Sequence, residues 1–431
     1  MTYTNDWRIP ADTKGSPHWA AGLTAAEFAA RGVNVLDGDL PLPLCVLREA
    51  ALAKNSDAMA RFVREAGHDV LLAPHGKTTM IPQLFHRQLE TGSWGLSLAN
   101  HHQVRVARSA AVSRIVLANQ LVEPAEIDYV LDELARDPDF DFYCFADSVD
   151  GVATLAERAT RHSTARPIQV FVEAGIDRGR CGVRTVDDAV TVGRAVVAAA
   201  PHLRLAGVAG YEGILQTSER GEQLISDYLS FLGAVATGCD GAGLFAGAER
   251  VLLSAGGSAF YDRVVAMLAD LPLSRPSRIV LRCGCYLAHD DGFYSRFVTD
   301  LLRRDPLARR ADLSFEPALE IWSSVLSTPE PGRVVVSAGR RDFGEDAVRP
   351  AVIKHARRGT SVPDRLDTAH HTIVAVYDQH AVIDVPDGHN LRVGDRIALS
   401  PGHPCTTFDK WRAIHLVDDA YIVRDVLATY F

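Results

Sequence analysis

The stretch Val70-Leu71-Leu72-Ala73-Pro74-His75-Gly76-Lys77-Thr78 shows the pattern that organises most of the chain: a short apolar run ends in a polar turn. Eight such runs occur, each followed by an amphipathic stretch, at 70–75, 94–99, 114–118, 140–146, 168–174, 205–211, 250–255 and 278–286. Apolar runs that alternate with amphipathic segments are typical of parallel strands joined by helices. Eight units predict a closed (β/α)8 TIM-type barrel, and an open doubly wound sheet is the alternative.

The pattern changes after the eighth run. From 318 onward short β-rich segments follow one another, and turn sequences such as Pro329-Glu330-Pro331-Gly332 separate them. This predicts an α/β plus β protein, with an N-terminal barrel over 41–315 and a C-terminal all-β domain over 316–431. Residues 1–40 fit neither pattern, and we expect them to pack on the main domains.

Composition excludes several classes of protein. Of 431 residues, 47% are hydrophobic and 23% charged, which indicates a globular chain rather than a disordered one. The net charge of −9 gives no basic surface for nucleic acid or an anionic membrane, and no apolar run is long enough to span a bilayer. Seven cysteines and a start unlike a signal peptide predict a cytoplasmic protein.

Lys77 is the first candidate for chemistry. It is one of only five lysines among 45 basic residues, and it follows the first predicted strand. Active sites of such barrels form at the carboxyl ends of the strands. A partly desolvated lysine there is the amine that Schiff-base chemistry requires, and a lysine that merely extends to water is the alternative.

Two glycine-containing turns are candidates for a phosphate site. Ser254-Ala255-Gly256-Gly257-Ser258 ends the seventh predicted strand, and Cys283-Gly284-Cys285-Tyr286 ends the eighth. Free backbone N–H groups at such turns bind phosphate, and barrels often use these two loops for it. Strand 8 of a closed barrel neighbours strand 1, so this site would lie beside Lys77. Each motif taken alone also fits a simple tight turn.

His403-Pro404-Cys405 is a candidate metal doublet. Side chains at i and i+2 of an extended segment point the same way, and imidazole with thiolate suits zinc. Two such ligands with water or substrate would form an open, catalytic site, and a chance triplet is the alternative. His289-Asp290-Asp291 also has metal-binding residue types, but we interpret it as a loop with helix-capping residues.

The turns after strands 5 and 6 offer ring or carboxylate contacts. The first turn contains Arg178 and Arg180, and the second contains Tyr211. One of these arginines, or the tyrosine hydroxyl, could hold a cofactor ring or a substrate carboxylate. An ordinary ion pair and a rim aromatic are the alternatives for these residues.

In chain order, these motifs resemble those of a known family. Pro-His-Gly-Lys-Thr, Arg-Cys-Gly-Val, Gly-Tyr-Glu-Gly, Ala-Gly-Gly-Ser, Gly-Cys-Tyr and His-Pro-Cys are similar to the motifs of alanine racemase-type (fold type III) pyridoxal phosphate enzymes. Within these the sequence resembles the D-serine dehydratase and D-threonine aldolase group, over about residues 40–430. That family has a barrel followed by a β domain, and its members usually form homodimers.

The resemblance also implies roles for individual residues. Lys77 is similar to the lysine that is covalently joined to the cofactor, and His403 and Cys405 match the ligands of Zn²⁺ or another divalent metal. Arg180 and Tyr211 match positions near the cofactor ring, although the strand 5 turn is two residues longer than usual and leaves Arg178 as an alternative. The implied phosphate loops contain Gly256, Gly257, Ser258, Gly284, Cys285 and Tyr286.

The implied activity is a pyridoxal 5'-phosphate- and zinc-dependent dehydratase (deaminase). Its small-molecule substrate would be D-serine or a related D-β-hydroxy amino acid, and its products a 2-oxo acid and ammonia. The alternative is a metal-dependent D-threonine or D-3-hydroxy amino acid aldolase, which gives glycine and an aldehyde. The aldolase branch tends to have His-x-Asp, so Cys405 favours elimination. A non-catalytic cofactor carrier and a racemase are further alternatives.

Overall fold

Two β-sheets organise the chain, one parallel and one mainly antiparallel. The computed structural model describes residues 7–67, 69–162, 166–215, 221–357, 359–360 and 362–431. The first strand in the chain, β1 (Leu44–Arg48), belongs to the second sheet. The eight strands of the parallel sheet are β2 (Val70–Leu72), β3 (Leu96–Leu98), β4 (Arg114–Gln120), β5 (Asp141–Ala146), β6 (Ile168–Ala174), β7 (Leu203–Gly210), β8 (Val251–Ala255) and β9 (Ser277–Leu281).

The parallel sheet curls into a barrel. Its strands pair in the order β2-β9-β8-β7-β6-β5-β4-β3, and the two ends of this order also meet. Trp94 N–H donates to the Leu72 carbonyl at 2.7 Å, and Ser97 N–H donates to the Pro74 carbonyl at 3.0 Å. The predicted (β/α)8 barrel is therefore confirmed, and the open sheet is excluded. Aromatic side chains of the neighbouring strands β5 and β6, Tyr143, Phe145 and Phe171, pack together in the interior.

Helices cover the outside of the barrel because each presents an apolar stripe to the strands. Asn100, Ser148 and Thr185 begin three of them, each side chain accepting the backbone N–H three residues on. The α-helices of the described chain are α1 (Ala25–Ala29), α2 (Glu49–Ala66), α3 (Pro82–Glu90), α4 (His101–Ser109), α5 (Pro124–Arg136), α6 (Val149–Arg161), α7 (Val186–Ala198), α8 (Gly221–Gly241), α9 (Tyr261–Leu268), α10 (Phe293–Arg304), α11 (Pro306–Arg310) and α12 (Cys405–Phe408). None of these helices is long and apolar enough to cross a membrane.

The second sheet is built mainly from the C-terminal part of the chain, as predicted. β1 joins it from the N-terminal side, antiparallel to β10 and parallel to β17. The predicted barrel span 41–315 therefore contains one strand that belongs to the other sheet, because its run of apolar residues fits either environment. The remaining strands are β10 (Leu319–Glu330), β11 (Arg333–Val336), β12 (Ala351–Ala356), β13 (Asp364–Arg365), β14 (Thr372–Val376), β15 (Ala381–Asp384), β16 (Arg396–Ser400), β17 (Ala413–Val417) and β18 (Val423–Ala428).

The N-terminal segment packs on this second sheet. Ile9, Phe28 and Leu36 share a buried apolar cluster with Trp322 and Val423, all at most 1% exposed. Residues 7–40 thus cover one face of the β-sheet. Residues 1–6, which the prediction also includes, lie outside the described residues.

Candidate active site

A cavity of about 890 Å³ opens at the carboxyl ends of the barrel strands, where the β domain meets the barrel. Lys77, Ser258 and Cys285 reach it from the barrel, whereas His403 and Cys405 reach it from the β domain. Nine of the eleven predicted site residues line this cavity: Lys77, Arg180, Tyr211, Gly257, Ser258, Gly284, Cys285, His403 and Cys405. The sequence thus placed most of these residues in one site, although they span more than 300 positions.

Lys77 lies in a 3₁₀ turn, Gly76–Thr78, directly after β2. Its side chain is exposed in the cavity, so the partial desolvation expected from the apolar run before it is not found. The backbone before it is tightly packed, since a Cβ on Gly76 would lie 2.9 Å from Phe85 Cε1. This packing fixes the turn that directs Lys77 into the cavity.

His75, two residues before Lys77, also lines the cavity. Its buried Nδ1 has no hydrogen-bond partner among the described residues. Burial lowers the pKa of this imidazole well below its usual range, and the charges of Lys77, Arg282 and Arg180 lower it further. The buried ring is therefore neutral.

The glycine pair after β8 is held by a glutamate that sequence reasoning missed. Glu212 is fully buried, and its carboxylate accepts Gly256 N–H at 3.1 Å and Gly257 N–H at 2.6 Å. The prediction that these two amides are free for phosphate is therefore corrected. Ser258 at the same turn still lines the cavity, and its hydroxyl accepts the backbone N–H of Cys285 at 3.3 Å.

β9 ends at Leu281, whereas the predicted strand run extended to 286, so the turn after it begins earlier than predicted. Gly284 lies against the first barrel turn, and a Cβ there would lie 2.5 Å from the His75 carbonyl oxygen. Tyr286 does not line the cavity. It is buried, and Gln88 donates to its hydroxyl at 3.1 Å, so its role in cofactor binding stays a prediction.

Of the two candidate arginines, Arg180 lines the cavity. Its guanidinium carbon lies 5.2 Å from the centre of the Tyr211 ring, which also lines the cavity. Arg178 occupies the left-handed region at φ 52° and lies outside the lining. Burial, together with the Glu212 charge, raises the pKa of Tyr211, so its phenol is neutral.

The His403-Pro404-Cys405 segment differs from the extended form we predicted. Pro404 is helical, at φ −56° and ψ −42°, because Cys405 begins α12. His403 and Cys405 nevertheless line the same cavity. His403 Nδ1 lies 2.7 Å from Asp346 Oδ2, which leaves Nε2 for another partner, and this carboxylate–histidine pair is typical of metal-binding histidines.

Cys285 and Cys405 form a thiol pair across the domain boundary. Their Sγ atoms are 3.3 Å apart, and Thr78 Oγ1 lies 3.7 Å and 3.4 Å from them. The contact between the two sulfurs lowers the pKa of Cys285 and raises that of Cys405. The sequence placed Cys285 only in a phosphate loop and gave no sign of this contact.

Two further polar groups support the floor of the cavity. Arg282 is 5% exposed and donates to Ser254 Oγ and to the Gly210 carbonyl, both at 2.6 Å, so it ties three strand ends together. Glu173 accepts from Gln120 Nε2 at 2.5 Å, and burial raises the pKa of Glu173. Arg282 could have been found in the sequence, because it is a charged residue inside a predicted apolar strand run.

His289-Asp290-Asp291 forms a capping loop, as we interpreted it. Asp290 Oδ1 accepts Gly292 N–H at 2.8 Å and Tyr294 N–H at 3.0 Å, at the beginning of α10. Burial raises the pKa of Asp290 to about 7 and lowers that of His289 to about 4.

Barrel, β domain and cavity together define the class: this is the alanine racemase-type fold. The solved D-threonine aldolase from Filomicrobium marinum matches with a TM-score of 0.73 and 24% identity, covering 91% of this chain and 96% of that one. D-threo-3-hydroxyaspartate dehydratase from Delftia sp. HT23 matches with a TM-score of 0.68 and 18% identity, over 90% and 97% of the chains.

Sequence comparison finds relatives among enzymes that act on D-amino acids. The family model "Putative serine dehydratase domain" matches residues 318–417. D-threonine aldolase of Arthrobacter sp. is 26% identical over 397 residues, 89% of this chain and 90% of the relative. 3-Hydroxy-D-aspartate aldolase of Paracoccus denitrificans (strain Pd 1222) is 26% identical over 371 residues, 85% and 86% of the two chains. These matches support the resemblance of the chain to the D-serine dehydratase and D-threonine aldolase-like family.

The family supports pyridoxal phosphate as the cofactor, and the cavity fits it. It presents a primary amine at Lys77, a hydroxyl at Ser258 and a cation at Arg180. A Cβ on Gly257 would lie 2.6 Å from Tyr211 Cε2, so a side chain there would collide with the Tyr211 ring. The imidazole and thiol of His403 and Cys405 are donors that suit a divalent metal such as zinc.

Proposed function

We propose that this protein is a pyridoxal phosphate- and metal-dependent lyase that dehydrates D-serine or a close D-β-hydroxy relative to a 2-oxo acid and ammonia. One observation carries the proposal: Lys77 from the barrel and the His403–Cys405 doublet from the β domain line one cavity. A base and a metal site that face one cavity are what removal of a hydroxyl group beside an acidic C–H requires.

Lys77 has two tasks in this proposal. It would hold the cofactor covalently, and its released amine is the base that takes the Cα proton of the substrate. When bound, pyridoxal phosphate supplies the electron sink that stabilises negative charge at Cα. Ser258 and Gly284 would lie at the phosphate end and Arg180 and Tyr211 near the ring, because these residues line the cavity around Lys77.

The β domain supplies the second half of the site. Hydroxide is a poor leaving group, and a divalent metal, when bound, supplies a Lewis acid for the β-oxygen. His403 and Cys405 would hold this metal. Asp346 holds the His403 ring by its Nδ1 atom, so that Nε2 points away from the carboxylate.

Retro-aldol cleavage is the second candidate, and the curated relatives favour it, since both are aldolases. It uses the same cavity but requires a base at the β-hydroxyl proton. The His403–Asp346 pair is the group of this chain that could accept that proton if the ring is not bound to metal. Cys405 is our reason for proposing dehydration first, because the aldolase branch of the family that the sequence resembles tends to have His-x-Asp at these positions.

Product analysis separates the two reactions. The purified protein, reconstituted with pyridoxal phosphate and Zn²⁺, is incubated with D-serine, D-threonine and 3-hydroxy-D-aspartate, with and without a chelator. We expect ammonia with a 2-oxo acid from the favoured substrate, and loss of this product with chelator. Glycine with an aldehyde would establish the aldolase instead. Tight cofactor binding without turnover of any D-amino acid would establish a carrier.

The homodimer and the cytoplasmic location implied by the sequence stay predictions. Sedimentation equilibrium of the reconstituted protein tests the first, with an expected mass of twice 46.8 kDa.

A further inference from the structure

The turn after β9 contains Gly284 and Cys285, which both line the cavity. Cys285 Sγ lies 3.3 Å from Cys405 Sγ, and neither cysteine is in a disulfide. We propose that Cys285 is a third protein ligand of the metal, which is then held by two thiolates and one imidazole. This inference rests on the proposed function, which assigns only His403 and Cys405 to the metal.

The distance between the sulfurs suits a shared ion. Zinc–sulfur bonds of about 2.3 Å in tetrahedral geometry place two thiolates about 3.8 Å apart. The observed 3.3 Å therefore requires the sulfurs to separate by only about half an ångström. Thr78 Oγ1 lies beside both sulfurs, at 3.7 Å and 3.4 Å, and can donate its hydroxyl proton to either thiolate.

The third donor is His403. Its Nδ1 is engaged by Asp346, and that carboxylate is also held by Thr406 Oγ1 at 2.5 Å. The donor atoms of His403, Cys285 and Cys405 do not all lie within 4.8 Å of one another, so the proposal requires the His403 ring to move toward the sulfurs. His403 and Asp346 are 22% and 53% exposed, which allows them to shift together.

Three protein ligands explain how an open site could hold its metal. Catalytic zinc sites usually have three protein ligands and one position for water or substrate. Two ligands alone leave the metal weakly held, whereas two thiolates neutralise a divalent cation and select softer metals. We therefore expect this site to prefer Zn²⁺ or Co²⁺ to Mg²⁺ or Mn²⁺.

Cobalt substitution tests the proposal without relying on activity. The cofactor-loaded enzyme is stripped of metal and titrated with Co²⁺, and the sulfur-to-cobalt charge-transfer absorption is measured. Because this absorption scales with the number of bound thiolates, Cys285→Ser and Cys405→Ser should each remove about half of it, and the double variant all of it. Zinc affinity of Cys285→Ser should fall at least about tenfold, the loss that even an outer-shell change can cause.

Cys239 provides the matched control. It is buried on α8 and does not line the cavity, so Cys239→Ser removes a thiol outside the site and should leave the absorption unchanged. If Cys405→Ser lowers the absorption while Cys285→Ser keeps it at full intensity, Cys285 is not a ligand and this inference alone is wrong. If His403→Ala and Cys405→Ser both leave cobalt binding unchanged, the proposed function is wrong as well.

The wild-type enzyme allows a second measurement that does not depend on a folded variant. X-ray absorption of the zinc-loaded protein counts the sulfur atoms bound to the metal. Two sulfurs at about 2.3 Å are expected, and a single sulfur would overturn the proposal.

Discussion

Lys77 differs from the other lysines in its surroundings. The remaining four each lie within 4.0 Å of a carboxylate: Lys14 of Asp342, Lys54 of Glu316, Lys354 of Glu320 and Lys410 of Asp409. Among the described residues no carboxylate lies that close to Lys77, whose side chain extends into the cavity. An amine without an ion pair at the mouth of a barrel is available for covalent chemistry.

Lys77→Ala should remove the visible absorption of the bound cofactor, because the covalent link is lost. Catalysis should fall by at least about 10²-fold, the smaller of the contributions usual for a general base. The absorption spectrum of the purified variant and steady-state ammonia release measure the two effects. Lys54→Ala, on the outer helix α2, is the control and should resemble the wild type. A Lys77 variant that keeps the visible band would contradict the assignment.

Glu212 is a second residue with a defined task. Its two carboxylate oxygens each accept one backbone N–H of the glycine pair, and Gly256 has a φ of 87°. In Glu212→Gln one of these donors faces an NH₂ group, which leaves a buried N–H unsatisfied at a cost of about 1–3 kcal/mol. We expect a lower free energy of unfolding in urea and weaker pyridoxal phosphate binding.

Glu222→Gln is the control for this change. Glu222 is an exposed residue in the first turn of α8, and its pair with Arg263 spans 3.5 Å, so its loss should alter stability by less than about 1 kcal/mol. Equal unfolding curves for Glu212→Gln and the wild type would show that Glu212 does not support the turn.

At the scale of elements, local pattern determined most of the fold. All eight barrel strands were predicted, since each is an apolar run covered on both faces. β12 has a weaker strand pattern because Lys354 and His355 interrupt its apolar residues. Both find partners far away in sequence, Glu320 at 2.5 Å and Asp395 at 2.9 Å, which a local pattern does not contain. A strand that contains a buried charged residue with a distant partner is therefore hard to predict from its own sequence.

Helices α4 and α5 are joined by a buried charge network that offers an element-scale prediction. Arg108 donates to Glu133 and to Asp137, both at 2.7 Å, and Glu133 is 2% exposed. Arg108→Ala leaves a buried carboxylate with only the exposed Arg136 as partner, so the free energy of unfolding should fall by about 3 kcal/mol. Arg161→Ala, which breaks an exposed pair on α6, should cost less than about 1 kcal/mol in the same urea titration.

At the scale of the whole molecule, the site exists only where the two domains meet. Thr78 and Cys405 touch across 327 positions of sequence, and Tyr430 N–H donates to the Met80 carbonyl at 3.0 Å at the same boundary. The sequence indicated each half of the site through its own motif. It did not show that the sulfur of Cys285 meets that of Cys405, because no spacing rule relates the turn after β9 to the beginning of α12.

Acid stability tests how far the β domain depends on a neutral histidine. His415 on β17 is 1% exposed, with its ring 5.6 Å from Phe28, and burial lowers its pKa to about 4. The unfolded chain takes up this proton near pH 6.5, whereas the folded protein does so only near pH 4. Stability should therefore fall as the pH drops from about 6.5 to about 4, by up to roughly 1.4 kcal/mol per pH unit for this group.

His415→Gln removes this titration and isolates it from other groups. Asp290, with its pKa raised to about 7, acts in the opposite direction: it favours the folded state at low pH, and that contribution is lost as the pH rises from about 4 to about 7. Asp290 is present in both proteins, so its contribution cancels when the free energies of unfolding of wild type and variant are subtracted. Unfolding in urea at pH 4.5, 5.5, 6.5 and 7.5 should show a shallower loss of stability in His415→Gln on acidification. His370→Gln, an exposed change, should follow the wild type, and parallel curves for His415→Gln would contradict a buried neutral imidazole.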